Sequence, residues 1–473
     1  MEAINGFISM IRNFVWGPIM ILLLVGTGVF LTIGTRAIQF RKLGYAFKML
    51  FSKENKENGD ISSFQALMTS LAATIGTGNI AGVATAISIG GPGSIFWMWI
   101  TAAIGGATKF CEAFLAIRYR ITNEKGEKSG GPMYYASMGM KERYGGNWNW
   151  LGYLFAVFGF FASFGTGNLV QANSVASSLK ASMGLSPYIC GIILSITAGI
   201  VIIGGIKSIA KITDKLVPTM GIIYILGSLV ILINQHHMIP KAFYLIFSNA
   251  FNGKAVSGGF IGAVLRMGVA RGIFSNEAGL GSSPIIHAAS KNNDPIKEGL
   301  ISSLGCFFAT LIICTMTALV ILVSGLISID KNGLMMISDN LSGAALTTVA
   351  FNSSLPNLGA FTISFGLIFF AFSTILGWYY YGAKCLEYIA GVKAINIYKW
   401  CWIFSCFIGS IVRLDIVWNL SDALNGLMAI PNLIALIALG PMIFHITKKY
   451  EYKKNIKNPV FYRPSHNTKY YIK

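Results

Sequence analysis

About eleven stretches of this chain are apolar over bilayer length, and no other feature narrows the fold as far. They lie near 16–34, 65–88, 95–118, 149–176, 187–206, 216–235, 256–288, 298–328, 356–389, 395–418 and 422–447. Each holds enough consecutive apolar residues to cross a hydrocarbon core of about 30 Å as a helix. Only 12% of residues are charged, about half the fraction usual in a soluble domain. The chain reads as an all-α polytopic membrane protein. Its first window is not a cleavable leader, because Met1–Phe14 carries only Arg12 and Glu2 and so lacks a basic n-region.

The formal net charge of +19 could suggest nucleic acid, but its distribution gives orientation instead. With eleven spans, loops and tail on one side carry 28 Lys and Arg, against six on the other. The positive-inside rule places the basic side in the cytoplasm, with the N-terminus outside, the C-terminus inside, and the whole in the cell membrane. The seven cysteines fall in or beside apolar windows without metal-ligand spacing, and read as small hydrophobes. The five histidines form no cluster with them, so no metal centre and no cofactor is expected.

Residues 36–51 are basic and amphipathic, which fits a segment lying on the cytoplasmic surface. The polar run Lys53–Asp60 follows, and Ser62 with Gln65 forms a capping box opening the second span. In the loop 119–148, Gly130-Gly131-Pro132 breaks any helix.

Two apolar windows are interrupted. GTGNIAG at 76–82 places glycines, a threonine and an asparagine inside one span, and GVARGIFSNEAGLGSSP at 268–284 places glycines and an asparagine inside another. Five spans run from the first interruption to the second, and five from there onward. An odd number inverts the second set. Broken helices at matching positions of two inverted halves mark a secondary transporter with a site at the membrane midplane. The expected division is 1–64 for an extra helix and basic segment, 65–235 and 256–447 for the two repeats, and 448–473 for a basic tail.

An unwound segment leaves amides and carbonyls unpaired, so it survives in a membrane only beside a cavity or buried in protein. The half-helix after Asn79 points its positive end at the midplane and suits a carboxylate. The half-helix before about Arg271 points its negative end there and suits an ammonium. A zwitterion answers both. Gly78-x-x-x-Gly82 alone is equally a helix-packing motif.

Other polar residues have two readings each. Gln171 and Asn173 could face the site or bond neighbouring helices. Ser373 and Thr374 offer hydroxyls for a hard cation opposite the first break, or bond their own backbone. Phe274 and Trp378 could wall a small pocket or simply pack. Lys109 and Glu112 read as a helix-surface pair. Glu277 inside the second break either titrates with a coupled proton or holds the segment through Arg271, and the holding role is favoured. The first break carries no carboxylate, which favours sodium over protons.

The stretches GTGNIAGVATAISIGGPGSIFWMW (76–99), GGPMYYA (130–136), GNLVQANSVA (167–176), GIFSNEAGLGS (272–282) and FSTILGWYYYG (372–382) together resemble the alanine or glycine:cation symporter family. The resemblance implies a leucine-transporter-like fold, with a five-plus-five inverted repeat and one extra N-terminal helix. It implies sodium-coupled import of small neutral amino acids by alternating access, with no enzymatic step. The substrate site it implies uses Thr77, Gly78, Asn79, Gln171, Phe274, Ser275, Asn276 and Trp378. Sodium would lie among Ala72, Ile75, Phe370, Ser373 and Thr374, and a second ion would use Thr74 and Asn79. The rival readings are a proton-coupled carrier working through Glu277 and an ion channel.

Overall fold

The computed structural model describes residues 2–52, 59–251, 260–329, 335–337, 341–356, 358–412 and 414–454. Most of the polar run at 53–60, Arg413 and the tail beyond residue 454 lie outside the described residues.

The fold is a bundle of helices. The N-terminal span is α1 (Pro18–Gly34), followed by α2 (Leu43–Leu50). The first interrupted window becomes α3 (Ser63–Thr74) and α4 (Gly78–Gly90), bent by 57° across the break. Then come α5 (Ser94–Arg118), α6 (Asn149–Lys180), α7 (Pro187–Ile203) and α8 (Gly205–Asn234). The second interrupted window becomes α9 (Phe260–Asn276) and α10 (Ser283–His287). The bundle is completed by α11 (Pro295–Val323), α12 (Leu358–Ala390), α13 (Ile395–Ile411) and α14 (Leu414–Lys454). Among the described residues, eight helices are long and apolar enough to cross a membrane, nine when α3 and α4 count as one. α7 is apolar but 17 residues long, and α9 with α10 covers the remaining window.

Local sequence explains the ends of these elements. The capping box is present: Ser62 Oγ accepts from Gln65 N at 3.1 Å, and Gln65 Oε1 accepts from Ser62 N at 3.2 Å. Gly131 takes φ 123°, which glycine tolerates, and Pro132 starts a new short helix directly after it. Lys207, Lys211 and Lys215, expected in a loop, stand on the first turns of α8, which begins eleven residues before the apolar window does.

The loops rich in Lys and Arg meet at one end of the bundle. There Arg120 donates to the carbonyls of Ala288 at 2.9 Å and Ser290 at 2.6 Å. Ile61 pairs with the same strand-like segment, its carbonyl accepting from Lys291 N at 2.7 Å. Ser63 Oγ donates to Glu298 Oε2 at 2.7 Å, and the other oxygen of Glu298 lies 2.7 Å from His287 Nδ1. Asp60 accepts from Lys128 N at 2.8 Å, and burial holds its carboxyl above the usual range. These bonds tie the start of α3, the end of α10 and the start of α11 together beneath the two breaks.

Candidate functional site at the two helix breaks

At the first break the backbone leaves the helix at Ile75, which is extended at φ −83° and ψ 91°. Gly76 N does not return to the Ala72 carbonyl, its partner in an unbroken helix. It donates instead to Asn79 Oδ1 at 3.2 Å. The Ala72 carbonyl is thereby released toward α12. Ser373 Oγ meets it at 3.2 Å and Thr374 Oγ1 at 3.1 Å, and both hydroxyls also reach the Phe370 carbonyl at 2.9 Å. Four neutral oxygens from two helices therefore converge where the first break faces α12. The donor set fits a hard monovalent cation, which takes oxygen ligands. The expected pairing of the Ser373 and Thr374 hydroxyls with α3 carbonyls is what the structure contains, alongside the back-bonds to Phe370 that were the other reading.

Asn79 is fully buried and acts as a strut. Its Nδ2 donates to Ser275 O at 3.3 Å and Ala309 O at 3.0 Å, and its own carbonyl accepts from Thr317 Oγ1 at 2.9 Å. The side chain thus ties the first break to α9 and α11. Thr74 Oγ1 donates to Ser70 O at 2.7 Å. Both groups expected at a second ion position are engaged with the backbone.

The two glycines of GTGN allow close approach. A Cβ on Gly78 would stand 2.5 Å from the Phe274 ring, and one on Gly76 would stand 2.6 Å from Thr374 Oγ1. The Gln171 amide stands beside Gly76, with Nε2 fixed on Thr166 O at 3.0 Å. Its Oε1 has no hydrogen-bond partner although buried, and the buried Thr77 Oγ1 has none either. Asn173, by contrast, bonds the carbonyls of Gly409 and Val412 on and beyond α13, the neighbour-bonding reading.

The second break lies later than expected. α9 continues unbroken through Arg271 to Asn276, and the chain turns at Glu277 (φ 58°), Gly279 (φ 88°) and Gly281 (φ 80°). Ser275 and Asn276 both reach Thr310 Oγ1, at 2.6 and 3.3 Å. Glu277 accepts from Ser282 Oγ at 2.6 Å and from Trp378 Nε1 at 3.1 Å. It holds the broken segment, as favoured, but not through Arg271. That guanidinium pairs with Asp422 of α14 at 3.5 Å and lies 5.8 Å from the Phe274 ring centroid. Phe274 and Trp378 are both buried against the breaks.

Lys109 and Glu112 do not form a surface pair; both are completely buried in α5. Glu112 Oε1 accepts from the backbone N–H groups of Gly279 at 3.1 Å and Gly281 at 3.2 Å, and from Asn432 Nδ2 at 2.7 Å. It thereby satisfies the amides freed by the second break. Asn432 also donates to Gly279 O at 2.9 Å and accepts from the Tyr135 hydroxyl. Lys109 Nζ has no hydrogen-bond partner. Sequence reasoning passed over Asn432, Asn425, whose Nδ2 donates to Thr166 Oγ1 at 2.8 Å, and Thr310. The signal was available for the first two: asparagines seven residues apart share one helix face in an otherwise apolar window.

Comparison with known proteins identifies the family and the fold. A family profile described as the sodium:alanine symporter family matches residues 1–463. The chain is 50% identical to the sodium/alanine symporter AgcS of Methanococcus maripaludis, over 95% of this chain and 98% of that one. It is 36% identical to the amino-acid carrier protein AlsT of Bacillus subtilis, over 97% and 94% of the two chains. Among solved structures, that of MhsT in complex with L-phenylalanine superposes with a TM-score of 0.53 at 13% identity, covering 83% of this chain and 99% of that one. That likeness is one of fold, the leucine-transporter-like bundle. The coverage at both ends and the identity over nearly full length leave one assignment: this chain belongs to the sodium:alanine symporter family.

Proposed function

We propose that this protein imports small neutral amino acids, alanine or glycine, by sodium symport across the cell membrane. The observation that carries the reading is the release of the Ala72 carbonyl onto Ser373 and Thr374. A break that hands a helix carbonyl to two hydroxyls of a facing helix builds a cation site from neutral oxygens. Substrate then meets the residues on the other side of the same break. The Gly78 amide at the positive end of α4 suits its carboxylate, and the unpartnered Gln171 Oε1 suits its ammonium. Phe274 and Trp378 enclose the remainder, and the close approach of Phe274 to Gly78 keeps the side-chain space small. The relative AgcS, by its name a sodium/alanine symporter, supports the same substrate.

In this reading residues 65–235 and 256–447 are inverted repeats, the basic loops face the cytoplasm, and the N-terminus lies outside. The ion is sodium at Ala72, Ile75, Phe370, Ser373 and Thr374. Glu277 is a structural acceptor, since both its oxygens receive protein hydrogen bonds. The test is uptake of labelled alanine into proteoliposomes at fixed pH, with and without an inward sodium gradient. Concentrative uptake that requires sodium is expected. Uptake driven by a pH gradient alone would overturn the ion assignment.

A further inference from the structure

The extra helix α1 ends against the last turns of α14, away from both breaks. A cavity of about 170 Å³ opens there, lined by Gly34, Thr35, Arg36, Phe444, His445, Thr447 and Lys448. At about 30 Å³ per water it has room for a phosphate group and a few waters. Arg36 and Lys448 are exposed fixed cations, and among the described residues neither has an acidic partner. Thr447 is 2% exposed, and its hydroxyl has no hydrogen-bond partner.

The helix cap beside this cavity is unusual. Ala37 N donates to Thr32 O at 2.7 Å and Arg36 N to Ile33 O at 3.0 Å, the two bonds of a Schellman cap. In that motif Arg36 occupies the position normally given to glycine, at φ 57°, and Ala37 follows at φ 53°. Left-handed backbone disfavours both residue types. A glycine would close the same cap without strain but would remove the guanidinium from the cavity mouth. Strain of this kind clusters where a site requires it.

We propose that this cavity binds a phosphate group, held by Arg36, Lys448 and the Thr447 hydroxyl. Basic pockets between helices at a membrane surface suit the headgroup of an anionic phospholipid. The exposed apolar side chains of Phe30 and Ile33, one turn deeper on α1, offer a path for its acyl chain.

The test uses the full chain purified in detergent. Thermal unfolding is followed against added phosphatidylglycerol, phosphatidylcholine and inorganic phosphate, for wild type, Arg36→Gly and Lys448→Gln. Phosphatidylglycerol should raise the melting temperature saturably and phosphatidylcholine should not. A cation near an anionic surface contributes about fivefold in affinity, so each variant should shift half-saturation about fivefold upward and the double variant about 25-fold. Arg36→Gly relieves the strained cap, so its lipid-free melting temperature should not fall, which separates loss of binding from loss of fold. Saturable stabilisation by inorganic phosphate at millimolar levels, lost in the same variants, would assign the site to free phosphate. Equal stabilisation by both lipids, or unchanged half-saturation in the double variant, would overturn the proposal.

Discussion

Removing both hydroxyls of the proposed ion site, as Ser373→Ala with Thr374→Ala, gives a magnitude that follows from the geometry. Each hydroxyl would contribute to a bound cation about what a hydrogen bond to a charged group does, ~1.5–3 kcal/mol. Each must first release its bonds to the carbonyls of Ala72 and Phe370, which contribute ~0.5–1.5 kcal/mol net in the ion-free protein. The difference is ~1–1.5 kcal/mol per hydroxyl, so the pair contributes ~2–3 kcal/mol. At tenfold per 1.4 kcal/mol, half-saturating sodium should rise about 30- to 150-fold. The assay is alanine uptake into proteoliposomes against sodium concentration, with Thr374→Ser as the control that keeps the oxygen and stays near wild type. Ion and substrate order the same segment, so alanine half-saturation at low sodium should weaken as well. A double variant that reaches the membrane and keeps wild-type sodium half-saturation would refute the site.

Glu112→Ala strips the acceptor from two buried amides and an asparagine, so it should destabilise the protein by ~3–5 kcal/mol, as breaking a buried charged partnership does. Thermal unfolding in detergent reads this, and an unchanged melting temperature would contradict it. Gly78→Ala places a methyl 2.5 Å from the Phe274 ring. It should abolish alanine uptake while the protein still reaches the membrane, and normal uptake would show that the ring has free space. Gln171→Ala removes the acceptor proposed for the substrate ammonium. Alanine half-saturation should rise roughly tenfold or more, from ~1.5–3 kcal/mol for a hydrogen bond to a charged group. Sodium half-saturation at saturating alanine should stay near normal.

Sequence reasoning reached the bundle and the first break because hydropathy and glycine placement are local signals. GTGN breaks the helix within two residues of where the pattern puts it. The second break lies at 277–282, six residues beyond Arg271, because glycine alone does not end a helix. Gly268 and Gly272 stay helical where they pack on Ser94, Trp97 and Thr101 of α5. The turn comes where Gly279 and Gly281 adopt positive φ and Glu112 receives their amides. That anchor is 167 residues away in sequence, and nothing local to either segment marks it. Lys109 and Glu112 show the same limit. Spacing of three residues is compatible with a solvated pair, and only the packing of α11 and α10 on α5 makes them interior. Their burial, rather than their charge, is what the sequence withheld.

In the proposed mechanism the coupling of ion to substrate rests on Asn79. Its Oδ1 takes the amide that would otherwise have closed the helix on Ala72, so one hydrogen bond both caps the break and leaves the Ala72 carbonyl to Ser373 and Thr374. Its Nδ2 reaches Ser275 and Ala309, which carry the second break's helix and α11. A ligand that draws on the Gly78 amide at the start of α4 would therefore act on the same backbone whose carbonyl faces Ser373 and Thr374. An ion at that carbonyl stiffens the same turn from the other side. Each ligand lowers the ordering cost left for the other, and linkage makes the effect equal in both directions. Separate sites on an unbroken helix would share no such turn, which is a physical reason for a membrane helix to be broken here.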